Sequence, residues 1–322
     1  MNIHHHTPRR LMALLLALVL CVGMMPSAFA AQEDNYHDPA EHWIEALNRT
    51  NELDANSTVT IETFNCCECG QATSFQVFRV PEYTRNGETA LTQHSVDLLL
   101  TDPPYGTTRN FWDVPLPLPE LWEAVRWAVK PNGAILFFAQ CPYDKILGAS
   151  NLKMLRYEWV WYKSRCTGFL NARRAPLKKT ENILVFYQKL PLYQPQFEQG
   201  KPYGRICKKG SLSSNYGKYI PSGNGSPDGR RFPGNVLAFA SVQHTIHPTQ
   251  KPVELCEYFI RTYTRPGELV ADICAGSGTT AVAAVNTGRR YICFETAPAI
   301  FSIADQRIRE AREAVARGEK GV

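Results

Sequence analysis

The stretch from residue 269 to residue 295 restricts the possible folds of this chain more than any other part of the sequence. A short apolar strand is followed by the glycine-rich turn 275–280 (AGSGTT), a helix, and a second strand that ends on Glu295. This succession is typical of an open α/β sheet, which binds nucleotide-like ligands at the carboxyl ends of its strands. The turn has Gly-x-Gly without the third glycine of dinucleotide sites, so a nucleoside without phosphates fits better.

A second constraint is the segment 101–106 (TDPPYG), which follows the apolar run 96–100. The run predicts a central strand of a parallel sheet, and the prolines end it because they lack the N–H that a strand donates. The carboxylate of Asp102, two backbone carbonyls and the ring of Tyr105 should then lie at the ligand-binding edge. Such a group can accept hydrogen bonds from an exocyclic amine and stack on the ring that carries it. Taken alone, the segment is equally compatible with an ordinary proline-rich turn.

The sequence around these two motifs alternates between further strands and helices. Apolar runs and helical spacing predict strands at 134–139, 157–162 and 182–187, and helices at 118–129, 144–152, 252–262 and 297–316. A basic loop is predicted between the second and third of these strands, with Arg165, Arg173, Arg174, Lys178 and Lys179.

Residues 189–235 have little apolar content and no clear period, and they predict an irregular insert. The segment is rich in Gly, Pro, Ser, Lys and Tyr. Basic residues interleaved with tyrosines suit a phosphate backbone and splayed bases. A solvated, flexible loop is the alternative interpretation.

The amino-terminal part of the chain has a different character. Residues 1–30 combine a basic start, a short apolar core and an Ala-x-Ala site, the pattern of a secretory signal peptide; a stop-transfer segment or a buried helix is the alternative. Residues 31–93 are polar and irregular, with one Cys-x-x-Cys pair, Cys66 and Cys69. A zinc site usually needs two such pairs, so no metal is expected. The ten cysteines have no framework spacing, and a net charge of +5 permits an anionic partner without requiring one.

Three motifs together resemble the β class of DNA amino-methyltransferases, which act on adenine N6 or cytosine N4. Residues 272–280 (DICAGSGTT) look like the S-adenosylmethionine motif of that family, 247–255 (HPTQKPVEL) resemble the segment before it, and 102–105 (DPPY) resemble the catalytic tetrapeptide. The catalytic motif comes first and the cofactor motif last, which is the β-class order. The resemblance implies an α/β fold, a Rossmann-like methyltransferase sheet with permuted motif order. It would span residues 94–322, with 189–235 as a target-recognition insert.

The resemblance also assigns roles to individual residues. It implies that catalysis rests on Asp102, Pro103, Pro104 and Tyr105. The residues expected to bind S-adenosyl-L-methionine are Asp272, Cys274, Gly276, Ser277, Gly278, Thr279, Glu295, His247, Thr249 and Lys251. The residues expected to contact double-stranded DNA are Arg173, Arg174, Lys178, Lys208, Lys209, Arg230 and Arg231.

The implied reaction is methyl transfer from S-adenosylmethionine to the exocyclic amine of a base flipped out of the duplex. Asp-Pro-Pro-Tyr is commoner among the adenine enzymes, so adenine N6 is favoured and cytosine N4 is the alternative. RNA and protein-glutamine methyltransferases usually place the cofactor motif first and use Asn-Pro-Pro-Tyr, so the motif order argues against them. The enzyme is expected to be a monomer or a homodimer, and a restriction nuclease can accompany it.

Two observations conflict with this assignment. Family members usually carry a strand with a Gly-Asp element before the catalytic strand, and the nearest match here is Gly87-Glu88. That match lies in a segment that loosely resembles the start of Firmicutes surface proteins. The methyltransferase function implies the cytoplasm, in conflict with the signal-like residues 1–30. The alternative is a secreted surface protein with an inactive methyltransferase body.

Overall fold

The computed structural model describes residues 64–65, 72–73, 76–78, 93–108, 110, 113–204, 211–213, 217–219, 225–243, 245–246 and 249–321. The signal-like residues 1–30, most of 31–93, and the predicted site residues Lys208, Lys209 and His247 lie outside this set. The chain divides into two compact units, one formed by Gln194–Asn235 and the other by the rest.

Eight strands of the described chain form one sheet in the larger unit. In chain order they are β1 (Gln76–Phe78), β2 (Val96–Thr101), β3 (Val129–Ala139), β4 (Leu155–Thr167), β5 (Lys178–Phe186), β6 (Val236–Phe239), β7 (Leu269–Asp272) and β8 (Arg290–Glu295). Across the sheet their order is β6–β4–β5–β3–β2–β7–β8–β1. Among these strands, β1 and β5 run antiparallel to their neighbours and the remaining pairs are parallel. The predicted α/β fold is therefore confirmed.

The strand before the Asp-Pro-Pro-Tyr segment occupies the position that its apolar run predicts. β2 lies between β3 and β7 and pairs in parallel with both. Leu98 and Leu99, which point to opposite faces of the sheet, are both buried, as expected for a strand covered on both faces. The sheet also includes β1, from the segment 31–93 for which the sequence suggested no role.

Five helices of the described chain accompany this sheet. They are α1 (Leu118–Ala128), α2 (Tyr143–Ser150), α3 (Val253–Tyr263), α4 (Thr279–Asn286) and α5 (Pro298–Ala316). α1, α2, α3 and α5 begin and end within two residues of their predicted bounds, because helical spacing and the flanking Pro and Gly residues mark helix ends well. None of the described helices combines the length and apolar character that a membrane crossing requires.

Two predicted boundaries in the sheet are wrong. The Pro-Asn-Gly segment 131–133 was expected to precede a strand, but β3 already begins at Val129, and its pairing with β2 shifts register across this segment. The basic loop predicted between β4 and β5 is shorter than expected. The two strands continue past the apolar residues and pair as far as Thr167 and Lys178, so that Lys178 and Lys179 lie on β5.

The smaller unit is more regular than predicted. Three successive antiparallel pairs are formed by Glu198–Gln199 with Arg230–Arg231, Tyr203–Gly204 with Gly225–Ser226, and Ser211–Ser213 with Gly217–Tyr219. Alternating apolar residues mark a strand only where one of its faces is buried. The polar composition of this segment therefore did not indicate these strands. In the larger unit, a separate short antiparallel pair joins Phe64–Asn65 to Ala72–Thr73.

Candidate active site

The sheet topology brings the two sequence motifs to the same edge. The parallel strands β2, β7 and β8 are neighbours, and they end at Thr101, Asp272 and Glu295. The antiparallel strand β5 starts at this edge, and it therefore contributes Glu181 from its amino end. A cavity of about 970 Å³ opens here and is lined by both motifs.

The turn that carries the Asp-Pro-Pro-Tyr segment is held by the carboxylate of Asp113. Its Oδ1 accepts hydrogen bonds from the backbone N–H groups of Tyr105 at 2.7 Å and Gly106 at 2.9 Å. Its Oδ2 accepts from those of Thr107 at 2.9 Å and Thr108 at 2.6 Å. Burial raises the pKa of Asp113, but these hydrogen bonds outweigh it and the pKa is lowered. One ionised side chain thus satisfies four consecutive donors and makes the turn rigid.

Tyr105 of this turn makes contacts through both its ring and its hydroxyl group. It stacks on Tyr143, with ring centroids 5.3 Å apart and planes inclined by 26°. Its hydroxyl donates a short hydrogen bond to Oδ1 of Asp102 and lies 3.3 Å from Oε1 of Glu181. Burial and these two carboxylates raise the pKa of Tyr105, so the hydroxyl keeps its proton and remains a donor.

Four charged side chains form an acid–base cluster at the base of the cavity. Nζ of Lys251 contacts Oδ2 of Asp102 directly and lies 3.0 Å from Oε1 of Glu181. Nζ of Lys163 lies 2.5 Å from Oε2 of Glu181, which also accepts a hydrogen bond from Gln140 at 3.0 Å. Two cations and two anions therefore alternate, and the buried charges compensate one another.

The members of the cluster differ in the direction in which their pKa values are shifted. Burial raises the pKa of Asp102, and the ammonium group of Lys251 offsets part of that rise. Burial also acts to raise the pKa of Glu181, but Lys251 and Lys163 outweigh it and lower the pKa to about 2. Burial would lower the pKa of Lys251, whereas the two carboxylates raise it. Of the two acids in this cluster, Asp102 is therefore the one with the raised pKa, and it takes up a proton more readily than Glu181.

The glycine-rich turn is braced from two sides. Oε2 of Glu295 accepts the N–H of Gly276 at 2.8 Å, and Oε1 accepts the N–H of Ala297 at 2.9 Å. From α5, the buried guanidinium group of Arg307 donates to the carbonyl oxygen of Ser277 at 2.5 Å. Gly278 begins α4 in the left-handed conformation with φ of +78°, a region that only glycine enters without strain.

Asp272 presents a buried carboxylate between the two motifs. Its Oδ1 accepts the N–H of Cys274 at 3.0 Å. Burial raises the pKa of Asp272 to about 6. The carboxylate therefore favours a cationic or hydrogen-bond-donating ligand in the cavity, since either would restore its charge.

Most of the site residues predicted from the sequence lie together. The cavity is lined by Asp102, Pro103, Pro104, Tyr105, Thr249, Lys251, Asp272, Cys274, Gly276, Ser277, Thr279 and Glu295. Gly278 supports the turn rather than lining the cavity, because its Cα faces Ala304 of α5. Lys251, predicted to bind the cofactor, lies in the acid–base cluster beside Asp102.

The predicted DNA-contacting residues fall into two groups. Arg173, Arg174 and Lys178 are exposed at the end of the β4–β5 hairpin. Arg230 and Arg231 belong to the smaller unit, where their guanidinium groups lie 4.4 Å and 4.3 Å from the ring centroids of Phe197 and Tyr203.

Sequence reasoning missed several residues that build the site. Glu181 and Lys163 belong to the acid–base cluster, Asp113 holds the Asp-Pro-Pro-Tyr turn, and Arg307 holds the glycine-rich turn. Glu181 and Lys163 could have been found because each is a charged residue next to an apolar strand. A charged side chain at such a place is buried only when it is paired with an opposite charge. Nothing in the sequence around Asp113 or Arg307 indicates which backbone groups they bind.

Comparison with known proteins is consistent with this geometry. A family model for the N6/N4 class, described as a DNA methylase, matches residues 96–306. The type II methyltransferase M.BglII of Bacillus subtilis is 31% identical over 259 residues, covering 69% of this chain and 67% of the relative. M1.MboII of Moraxella bovis is 30% identical over 225 residues, covering 62% of this chain and 83% of the relative. The solved M1.HpyAVI–SAM complex is 25% identical, with a TM-score of 0.45 and coverage of 66% and 89%.

Proposed function

The chain belongs to the N6-adenine/N4-cytosine DNA methylase family, and within this family we propose that its target is the N6 amine of adenine in double-stranded DNA. It is a DNA methyltransferase whose methyl donor is S-adenosyl-L-methionine. The observation that supports the proposal most directly is the shared cavity, in which Asp102 and the glycine-rich turn line the same space. The Asp-Pro-Pro-Tyr form of the tetrapeptide favours adenine over cytosine.

The residues of the cavity fit the methyl donor. The cavity, at about 970 Å³, lies at the upper end of the range for small-molecule sites, so it has room for a nucleoside and a flipped base. The carboxylates of Asp272 and Glu295 line the cavity and suit the cationic and hydroxyl groups of S-adenosylmethionine. Thr249, Ser277 and Thr279 supply further polar groups. When bound, this cofactor supplies an electrophilic methyl group.

At the other end of the cavity the protein orients the target amine. We expect the carboxylate of Asp102 and the carbonyl of Pro103 to accept its two hydrogens, which turns the nitrogen lone pair out of conjugation. Both oxygens of Asp102 already accept one bond, from Tyr105 and from Lys251, and each can accept another. Rigid placement of these acceptors supplies the catalytic effect, because the reaction needs orientation and charge rather than a covalent intermediate.

The test is transfer of labelled methyl groups from S-adenosylmethionine to unmethylated DNA, with the product nucleosides separated. We expect N6-methyladenine from the full chain. The Asp102→Ala variant should still bind the cofactor and transfer nothing, whereas Lys130→Met, which removes a half-exposed ion pair with Asp97, should remain active. Labelled N4-methylcytosine would refute the adenine assignment within the same family. Activity retained by Asp102→Ala would refute the catalytic role of Asp102.

We further propose that the methyltransferase acts in the cytoplasm, where DNA and S-adenosylmethionine are available, as a monomer or homodimer and with a partner nuclease. Fractionation of the native host tests the compartment, and export of the intact chain would contradict it. Light scattering of the purified chain tests the oligomeric state.

A further inference from the structure

The end of the β4–β5 hairpin exposes two large apolar side chains. Phe169 is 75% exposed and Leu170 is 86% exposed. They lie in a short 3-10 helix, Phe169–Asn171, which follows Gly168 at φ of +85°. The N–H of Asn171 donates to the carbonyl of Gly168 at 3.0 Å, and that of Arg174 donates to the carbonyl of Asn171 at 2.8 Å. The turn is therefore ordered by its own backbone, and it holds both side chains in solvent. We call residues 168–172 the hairpin tip.

The hairpin tip is surrounded by positive charge. Between residues 165 and 179 there are five basic residues and no acidic one. They are Arg165, Arg173, Arg174, Lys178 and Lys179. All but Lys179 are exposed, and Lys179 is partly exposed. An apolar tip on a basic stem is suited to a partner with an anionic surface and an apolar interior.

The hairpin tip lies beside the entrance of the cavity. Arg165, Cys166 and Thr167, at the end of β4, line the cavity. On the partner strand, Lys178 is three residues from Glu181 of the acid–base cluster, or roughly 10 Å at the rise of a β-strand. A feature that contacts the DNA at the tip would therefore act close to the base that enters the cavity.

We propose that the hairpin tip inserts Phe169 and Leu170 into the base stack of double-stranded DNA at the target base, and fills the space that this base leaves. The inference rests on the proposed function. The basic residues of the stem would contact the flanking phosphates, and a two-stranded ribbon is narrow enough to enter the major groove. Apolar wedges of this kind unstack neighbouring bases in other DNA-binding proteins, and they offset part of the cost of flipping.

A second copy of this chain is a less suitable occupant of the same surface. Isologous pairing would place the basic stem of one hairpin against its own copy, with five like charges on each side. Double-stranded DNA complements that charge and needs no compensating acid.

The experiment compares two duplexes that contain the site methylated by the wild-type chain. In one the target adenine is paired with thymine, and in the other it lies opposite an abasic position, so that flipping costs less. The variant is Phe169→Ala/Leu170→Ala. Both side chains are exposed, so their removal leaves the core intact, and the thermal unfolding midpoint checks this. Leu152→Ala is the matched control, because Leu152 is 68% exposed near the start of β4, at the opposite edge of the sheet.

We expect the double variant to lose about tenfold or more in kcat/KM on the paired duplex. On the abasic duplex it should stay within about threefold of the wild type, because the wedge is no longer needed to open the stack. Leu152→Ala should match the wild type on both substrates. A wild-type fluorescence increase from 2-aminopurine at the target position should be absent in the double variant.

Three results would overturn the inference. They are equal losses on the two duplexes, no loss on either, and loss of activity that accompanies dissociation of a wild-type dimer. If the wild-type chain methylated adenine at no site in double-stranded DNA, the proposed function would be refuted before the two duplexes were compared, so the two failures are distinguishable.

Discussion

The ammonium group of Lys251 contacts the carboxylate of Asp102, although 149 residues separate them in the sequence. The contact joins the segment before the cofactor motif to the catalytic tetrapeptide. The Asp102 side chain is 18% exposed; its burial raises its pKa, and this cation is the main group that opposes the rise. We therefore expect Lys251 to act as a positioning residue that keeps Asp102, the proposed acceptor of the target amine, ionised.

Replacing Lys251 with Met should move the acidic limb of the kcat/KM profile to higher pH, by roughly 1–3 pH units. The reason is that an acid loses charge as pH falls through its pKa, and removal of the cation raises the pKa of Asp102 further. The free energy of unfolding should fall by about 3–5 kcal/mol, because a buried pair is broken. The measurements are pH–rate profiles and urea unfolding.

The control for this prediction is Lys130→Met. Lys130 pairs with Asp97 at the amino end of β2, and its side chain is 38% exposed. Its loss should cost less than about 1 kcal/mol and leave the pH profile unchanged. An unchanged profile in the Lys251→Met variant would contradict the role proposed for that lysine.

Asp113→Asn should loosen the catalytic turn. The amide keeps one oxygen, but its NH2 group faces backbone N–H groups from which the carboxylate accepted hydrogen bonds. Each N–H left unpaired lowers the free energy of unfolding by about 1–3 kcal/mol. Hydrogen exchange of residues 105–108 should accelerate and methyl transfer should fall. Asp228→Asn, which removes a carboxylate that accepts the N–H of Arg230, should leave this exchange unchanged. Slow exchange in the Asp113 variant would show that the turn holds its shape without the carboxylate.

Asp272→Asn should remove a pH dependence of stability. In the folded chain burial raises the pKa of Asp272 to about 6 from 3.8, so between these values the folded state binds a proton that the unfolded state does not. Stability therefore falls as pH rises through this window, on the order of 3 kcal/mol at 1.36 kcal/mol per pKa unit. Unfolding at pH 4 and pH 8 should show this fall in the wild type and a smaller one in Asp272→Asn.

The same variant should change cofactor binding. Calorimetry should find that affinity for S-adenosylmethionine increases in the wild type as pH rises through about 6, because the ionised carboxylate attracts a cation. In Asp272→Asn the affinity should be weaker and nearly independent of pH. An equal increase in both proteins would show that another group is responsible.

Gly278→Ala should destabilise the protein more than Gly288→Ala does. Both glycines have positive φ, +78° and +69°, but a Cβ at 278 would lie 3.0 Å from Cβ of Ala304, whereas at 288 no atom lies within 4 Å. Backbone strain of about 1–2 kcal/mol applies to both, and displacement of α5 adds about 1–3 kcal/mol at 278 alone. Urea unfolding measures the difference. Equal losses would show that α5 moves without cost.

The parts of the fold that were predicted correctly are those with a local cause. The apolar run before Asp102 and the glycine-rich turn before α4 specify a strand and a strand–helix junction by short-range patterns. Prediction was wrong where stability comes from pairing between strands, as in the continuation of β4 to Thr167. There residues 164–167 are exposed, and no apolar periodicity marks the continuation of the strand.

The sequence by itself determined the fold class, the motif order and the family, because these follow from residue types at fixed short spacings. It did not indicate that Lys251 contacts Asp102, that Lys163 and Lys251 both pair with Glu181, or that Arg307 supports the glycine-rich turn. Those contacts depend on the antiparallel insertion of β5 between parallel strands and on the return of α5 to the sheet. Only the tertiary structure decides them, because a buried charge is stabilised by partners that are near in space and distant along the chain.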